Sequence, residues 1–199
     1  MTDDLQALSH RGLTRTLIPQ WLSEQRVDLD GEIESSAYGE TPAVLYKKVF
    51  GLLDLGPQDR FLDLGSGAGH LVLAASQMGV ASRGLERNAD LVEAGQLLME
   101  RAGLPPETLL CEDFLTCAWP GATKAFAASA RYSARTLKSL SQRLEADTRL
   151  TAFACLGRPL ELSSPWVRVY QGIESVVWNP GEVALDEPLT VWRRALEEL

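Results

Sequence analysis

Three glycines and three carboxylates carry the chemistry that can be read from this chain. Asp63 stands two residues before the first glycine in the run Phe61-Leu62-Asp63-Leu64-Gly65-Ser66-Gly67-Ala68-Gly69-His70. An apolar stretch entering glycines at alternate positions predicts a strand, a sharp turn and a helix. The backbone there can approach a ligand closely at the strand's carboxyl end. The spacing is Gly-x-Gly-x-Gly, not the Gly-x-Gly-x-x-Gly of dinucleotide binders. A carboxylate at Asp63 repels pyrophosphate and attracts an ammonium group. Glu86 ends the run Ser82-Arg83-Gly84-Leu85-Glu86, where an acid accepts hydrogen bonds from both ribose hydroxyls. Asp113, in Cys111-Glu112-Asp113-Phe114, is placed to accept from an exocyclic amine of adenine while Phe114 packs on the ring; it also reads as a helix cap. A ligand with an amino acid, a ribose and an adenine fits such a site, and S-adenosylmethionine is that ligand.

The elements that must position these groups alternate along the middle of the chain, roughly residues 41–157. Thr41 is a candidate N-cap ahead of Pro42 for an amphipathic helix carrying Val44, Leu45, Lys48, Val49, Leu52 and Leu53, ended by Gly56-Pro57. Strands are expected at 60–64, 81–85, 108–111, 125–129 and 150–156, and helices at 70–78, 88–102 and 134–144. Strands separated by helices imply a doubly wound, mainly parallel sheet. After residue 158 the period changes. Trp166–Tyr170 and Leu189–Trp192 read as strands about a turn at Asn179-Pro180-Gly181, which predicts a C-terminal antiparallel hairpin. Trp166, Trp178 and Trp192 are expected to pack that hairpin, with one of them free to line a groove.

Residues 1–40 read as an N-terminal cover over a domain formed by residues 41–199. Leu13, Leu17, Ile18, Trp21 and Leu22 recur at helical spacing, and the acidic run Val27–Ser36 reads as a connecting loop.

The 199 residues are 45% hydrophobic and 23% charged, with 19 Lys plus Arg against 27 Asp plus Glu and a net charge of −8. That composition suits one globular domain and argues against disorder and against tight binding to a nucleic-acid backbone. No apolar stretch reaches the length of a membrane span. Cys111, Cys117 and Cys155 have no CxxC spacing and only His10 and His70 as imidazole partners, so neither a metal site nor a disulfide framework is expected. All three read as small core residues. His70 reads as an exposed residue on its helix's first turn. The start MTDDLQALSH lacks the basic and apolar regions of a secretory signal, and a cytoplasmic location is expected.

Residues 38–156 resemble the class I, seven-strand S-adenosylmethionine methyltransferases. More narrowly, they resemble the non-SET histone-lysine methyltransferase family and its bacterial and mitochondrial relatives that methylate protein lysines. The resemblance rests on Tyr38-Gly39-Glu40-Thr41, on Asp63-Leu64-Gly65-Ser66-Gly67-Ala68-Gly69 with Leu71-Val72-Leu73, on Gly84-Leu85-Glu86 and on Asp113-Phe114-Leu115. It implies a Rossmann-like fold in which Tyr38 and Thr41 close over the methionine moiety while Glu86 and Asp113 hold ribose and adenine. The implied cofactor-binding set is Tyr38, Glu40, Thr41, Asp63, Gly65, Ser66, Gly67, Gly69, Glu86, Arg87, Asp113 and Phe114. In the histone enzymes the fourth strand ends in paired asparagines followed by aromatic residues. An ungapped reading places Ala128-Ser129 at that pair and Tyr132 at a later aromatic. Ser129 and Tyr132 are therefore the catalytic candidates, one as a hydroxyl beside the acceptor and the other as a wall of its channel. The Asn/Asp-Pro-Pro-Tyr/Phe motif of nucleobase amino-group methyltransferases is missing.

Methyl transfer is an in-line displacement from an already activated sulfonium, so the protein has to align and dehydrate the nucleophile. For lysine, burial in an aromatic channel lowers the ammonium pKa and favours the free amine. The leading expectation is a protein-lysine N-methyltransferase whose partner is a protein with an accessible lysine. A small-molecule O- or N-methyltransferase and a catalytically silent methyltransferase-like binding subunit are the alternatives.

Overall fold

The computed structural model describes residues 26–29, 32–35, 39–119, 121–179 and 181–195, with side chains from residue 39 onward. The expected helical stripe at 13–22 and Tyr38 lie outside them. Within the segment expected to be a loop, β1 (Arg26–Leu29) and β2 (Glu32–Ser35) pair antiparallel, Arg26 opposite Ser35. Val27, Leu29 and Ile33 alternate about Asp30-Gly31, a dipeptide favoured in hairpins. The abundance of acids in this run obscures that alternation.

Helix α1 (Ala43–Leu53) turns Leu45, Val49, Phe50 and Leu53 inward. Both of its ends differ from expectation. Pro42, extended at φ −61° and ψ 136°, is the N-cap and makes no side-chain cap bond. Asp54, left-handed at φ 54°, closes the helix before Gly56 is reached.

The sheet begins with β3 (Arg60–Leu64), followed by α2 (His70–Gln77), β4 (Ala81–Glu86) and α3 (Ala89–Arg101). A short 3-10 turn, Pro106–Thr108, takes Thr108 out of the next strand, so β5 is Leu109–Cys111. Then come β6 (Lys124–Ala128), α4 (Ala134–Ala146) and β7 (Ala152–Leu156). The Asn88 side chain caps α3 by accepting from the amides of Asp90 and Leu91, and the Ser133 side chain caps α4 by accepting from Thr136. The terminal hairpin is β8 (Trp166–Val176) and β9 (Leu185–Arg194), each longer than the alternation suggests. An irregularity between Arg168 and Tyr170 shifts the register, so that Trp166 packs on one face of the sheet and Tyr170 and Val176 on the other.

The seven strands lie in the order β5-β4-β3-β6-β7-β9-β8. The first five are parallel, and β9 runs against them, pairing antiparallel with both β7 and β8. The chain winds outward from β3 through β4 to β5, then returns to β6 on the other side. The point between β3 and β6 is thus a switch in winding direction, where the crossovers diverge and leave a crevice at the carboxyl ends of the strands. One face of the sheet packs Phe61, Phe126, Ala154 and Val191 under α1 and α2. The other packs Leu62, Leu64, Ala127 and Phe153 against Leu140 and Leu144 of α4 and against Trp119, Trp166 and Trp192. Covering on both faces explains why the central strands read as continuous apolar runs.

Among the described residues no helix is long and apolar enough to cross a membrane, and no group of three or more His, Cys, Asp or Glu forms a metal cluster. Of the cysteines expected in the core, only Cys155 is buried, its thiol pushed up to about 12 by burial. Cys117 is half-buried, and Cys111 is exposed because it ends the edge strand β5.

Candidate functional site

Strand alternation puts Asp63 on the face of β3 occupied by Phe61, one residue before the chain turns into the glycine loop. It is 4% exposed. Burial, reinforced by the nearby Glu86 carboxylate, pushes its carboxyl up to about 8. The loop is held to β4, since the amides of Gly65 and Ser66 both donate to the Leu85 carbonyl at 2.8 and 3.0 Å. Gly65 has φ +81°, and a Cβ there would sit 2.5 Å from the Tyr132 hydroxyl, so position 65 tolerates no side chain. Gly84 likewise leaves room for Ser66, whose Oγ is buried without a hydrogen-bond partner.

Glu86 is fixed through both oxygens, accepting from Gly67 N at 3.0 Å and Asn88 N at 2.8 Å. One carboxylate thereby ties the glycine loop to the start of α3. Asp113 accepts from Leu115 N at 2.8 Å in the turn after β5. The Phe114 and Tyr132 rings stack with centroids 5.5 Å apart and planes 29° off parallel. The Tyr132 hydroxyl donates to Leu64 O at 2.7 Å, and burial holds that phenol far above its ordinary value.

These groups share one pocket at the switch point. Of the residues expected from sequence, Glu40, Thr41, Asp63, Gly65, Ser66, Gly67, Glu86, Arg87, Asp113, Phe114 and Tyr132 line it. Gly69 does not. It caps α2 with φ +82° and sits against Leu109 and Met99, so it serves the packing of α2 and α3. Ser129, expected beside the acceptor, is fully buried and points elsewhere. Its hydroxyl donates to Arg158 O at 2.7 Å and lies 2.9 Å from Cys155 Sγ. The end of β7 and the turn after it offer it the carbonyls of Leu156 and Arg158, and the side chain turns to them. Ala128 and Ala130 face the pocket in its place.

Several lining residues were not singled out from sequence as site residues. Tyr46 of α1 lies over the pocket, and burial with the charges of Glu40 and Asp63 raises its phenol. His70, expected to be exposed, is largely buried, its Nδ1 against a Glu40 carboxylate oxygen. The Gly39–Thr41 segment folds across the start of α2, held by Glu40 N donating to Trp178 O at 3.2 Å. Trp178 packs on Gly39 and donates through Nε1 to Glu187 at 3.0 Å. The terminal hairpin thereby props the loop that covers the pocket. Tyr46 shares its face of α1 with Phe50 and so reads as core, whereas Trp178 is one of the three tryptophans of which one was expected to line a groove.

Comparison with known proteins follows the same lines. The model of the family described as Histone methylation protein DOT1 matches residues 32–101. The Protein-L-isoaspartate O-methyltransferase of Paracoccus denitrificans (strain Pd 1222) is 29% identical over 124 residues, covering 55% of this chain and 56% of that protein. The chain thus matches little more than half the length of that relative. Among solved structures, magnesium protoporphyrin IX methyltransferase from Synechocystis PCC 6803 with bound SAM is similar at a TM-score of 0.61 and 12% identity, over 76% of this chain and 79% of that one. An RNA methyltransferase from Salinibacter ruber in complex with S-adenosyl-L-homocysteine is similar at 0.59 and 20% identity, over 80% and 95%. With its strand order and its glycine loop at the switch point, the chain has the Rossmann-like fold of the class I S-adenosylmethionine-dependent methyltransferases.

Proposed function

We propose that this chain binds S-adenosylmethionine and transfers its methyl group to the side-chain nitrogen of a lysine in a protein. The observation that carries the reading is the buried Asp63 carboxyl, raised to about 8 beside the glycine loop. Such a group has its ordinary acidity restored by an ammonium ion, and the amino-acid end of the cofactor presents one. The remaining donors and acceptors fit the same ligand. Glu86 stands at the end of β4 for the ribose, and Asp113 and Phe114 follow β5 for the adenine. When bound, the cofactor supplies an activated methyl on a sulfonium.

The chain's own residues then exclude water and orient the nucleophile. Tyr46, Phe114, Tyr132 and Trp178 give the pocket aromatic walls, and Ala128 and Ala130 line it where Ser129 turns away, with Arg131 beside them. Such a channel disfavours an ammonium and favours the free amine that attacks. Glu40 lies against His70 at the rim, where a proton leaving the amine has an acceptor on its way to solvent. The match of residues 32–101 to the family of histone methylation proteins supports a lysine acceptor, and the net charge of −8 supports a basic protein segment over nucleic acid. The likeness to an isoaspartate O-methyltransferase favours a second reading, transfer to a protein carboxyl.

Incubation with methyl-tritiated cofactor and cell protein separates the two. Label that survives mild base and is recovered as methyl-lysine after acid hydrolysis supports the lysine reading. Base-labile label supports the ester. Label that stays out of protein overturns both.

A further inference from the structure

Strand β7 stops at Leu156, opposite Leu189, but β8 and β9 continue past it as the pairs Ile173–Pro188, Glu174–Glu187, Ser175–Asp186 and Val176–Leu185. The paired part of this arm projects about 13 Å beyond the carboxyl end of the parallel strands, at 3.3 Å per residue. That is the edge on which the pocket opens.

The arm is continuous with the site. Trp178, just beyond the end of β8, lines the pocket, holds Glu40 and packs in the same core as Val176, whose cross-strand partner is Leu185. On the face that this pair shares Leu185 is 47% exposed, and at the tip Val183 is 82% exposed. Between Arg168 and Arg193 the sequence holds Glu174, Glu182, Asp186 and Glu187 and no lysine or arginine. Glu174 is buried and paired with Lys48, Glu187 accepts from Trp178 Nε1, and Asp186 pairs with Ser175 on the opposite face. Glu182 at the tip is thus the carboxylate set beside Val183 and Leu185, a combination complementary to a segment with aliphatic and basic residues. A second copy presents the same acids and is repelled.

We infer that the pocket-side face of the β8–β9 arm docks the acceptor protein, gripping a basic segment with aliphatic side chains next to the lysine that enters the pocket. This rests on the protein-acceptor reading above. Val183 and Leu185 take the aliphatic side chains, and Glu182 contributes charge at the tip. Ile173, 62% exposed on the opposite face, takes no part.

Fluorescence anisotropy of the full chain with a labelled synthetic peptide of arginine, leucine and one lysine tests this. The same peptide with glutamate for arginine is the comparison. The arginine peptide is expected to bind, with affinity that falls as salt rises, and to lose about tenfold or more in V183S/L185S and in E182K. I173S is expected to bind like wild type, and all variants to keep the wild-type melting temperature. Equal binding of the two peptides, or undiminished binding by both arm variants, overturns the proposal. So does light scattering that finds a wild-type dimer made monomeric by V183S/L185S, because the arm is then covered by a second copy. Methyl transfer to the peptide that is unchanged in the arm variants overturns the docking face alone. A peptide bound through the arm whose lysine never receives methyl overturns the lysine acceptor and leaves the docking face standing.

Discussion

The Tyr132 hydroxyl donates to the Leu64 carbonyl at 2.7 Å, joining the segment after β6 to the last residue of β3, 68 positions earlier in the chain. The bond lies over the first glycine of the loop and brings the Tyr132 ring onto Phe114. It fixes the aromatic wall and the glycine loop relative to each other.

Tyr132→Phe removes this bond and is expected to lower stability by about 1 kcal/mol. Gly65→Ala forces a side chain into a left-handed backbone, which alone costs about 1–2 kcal/mol, and drives its Cβ against the Tyr132 oxygen. The double variant lacks that oxygen, so its loss is expected to be smaller than the sum of the two single losses. Urea denaturation of the four proteins checks this, and strict additivity contradicts the contact.

Asp63 makes the ligand-free protein sensitive to pH. Its folded carboxyl titrates near 8 and its unfolded one near the ordinary 3.8. Between those values the folded chain holds the extra proton, so stability falls as pH rises through this window and levels off above it. Asp63→Asn is expected to flatten the trend and to melt above wild type at pH 8, with the gap narrowing toward pH 5. The same variant is expected to lose cofactor binding. Calorimetry of wild type at pH 7 in buffers of different ionisation enthalpy should show about one proton released on binding, as an ammonium converts Asp63 to its ion.

Glu86 anchors the loop through Gly67 and α3 through Asn88. Glu86→Ala leaves both amides without their acceptor and removes the proposed ribose contact. The expected outcome is cofactor affinity at least about tenfold weaker, or about 1.4 kcal/mol, with a lower melting temperature in the absence of ligand. Wild-type affinity in calorimetry removes Glu86 from the site.

Glu174 is buried directly across from Glu187 in the hairpin and is paired with Lys48 of α1. Lys48→Met leaves two facing carboxylates without that cation, which is unfavourable on a sheet surface. Its melting temperature is expected to fall, and Lys48→Met with Glu174→Gln is expected to recover most of the loss. Differential scanning calorimetry reads both, and no recovery in the pair means that Lys48 acts through packing.

The features legible from sequence are those that local geometry dictates. Phe61–Leu64 is apolar at every position but Asp63, and Gly65 stands where the backbone is left-handed as the strand turns into the loop. Asn88 sits where α3 needs a cap. Each rests on residues a few positions apart, so a single sequence suffices to place the strand, loop and helix. Tertiary structure decided the features that depend on distant partners. The direction of Ser129 followed from carbonyls at 156 and 158, and the burial of His70 from the loop that carries Glu40. The place of Trp178 followed from a hairpin whose register shift hid its true length. No local period encodes such meetings. They arise when the sheet assembles and buried polar groups take the partners that packing brings within reach.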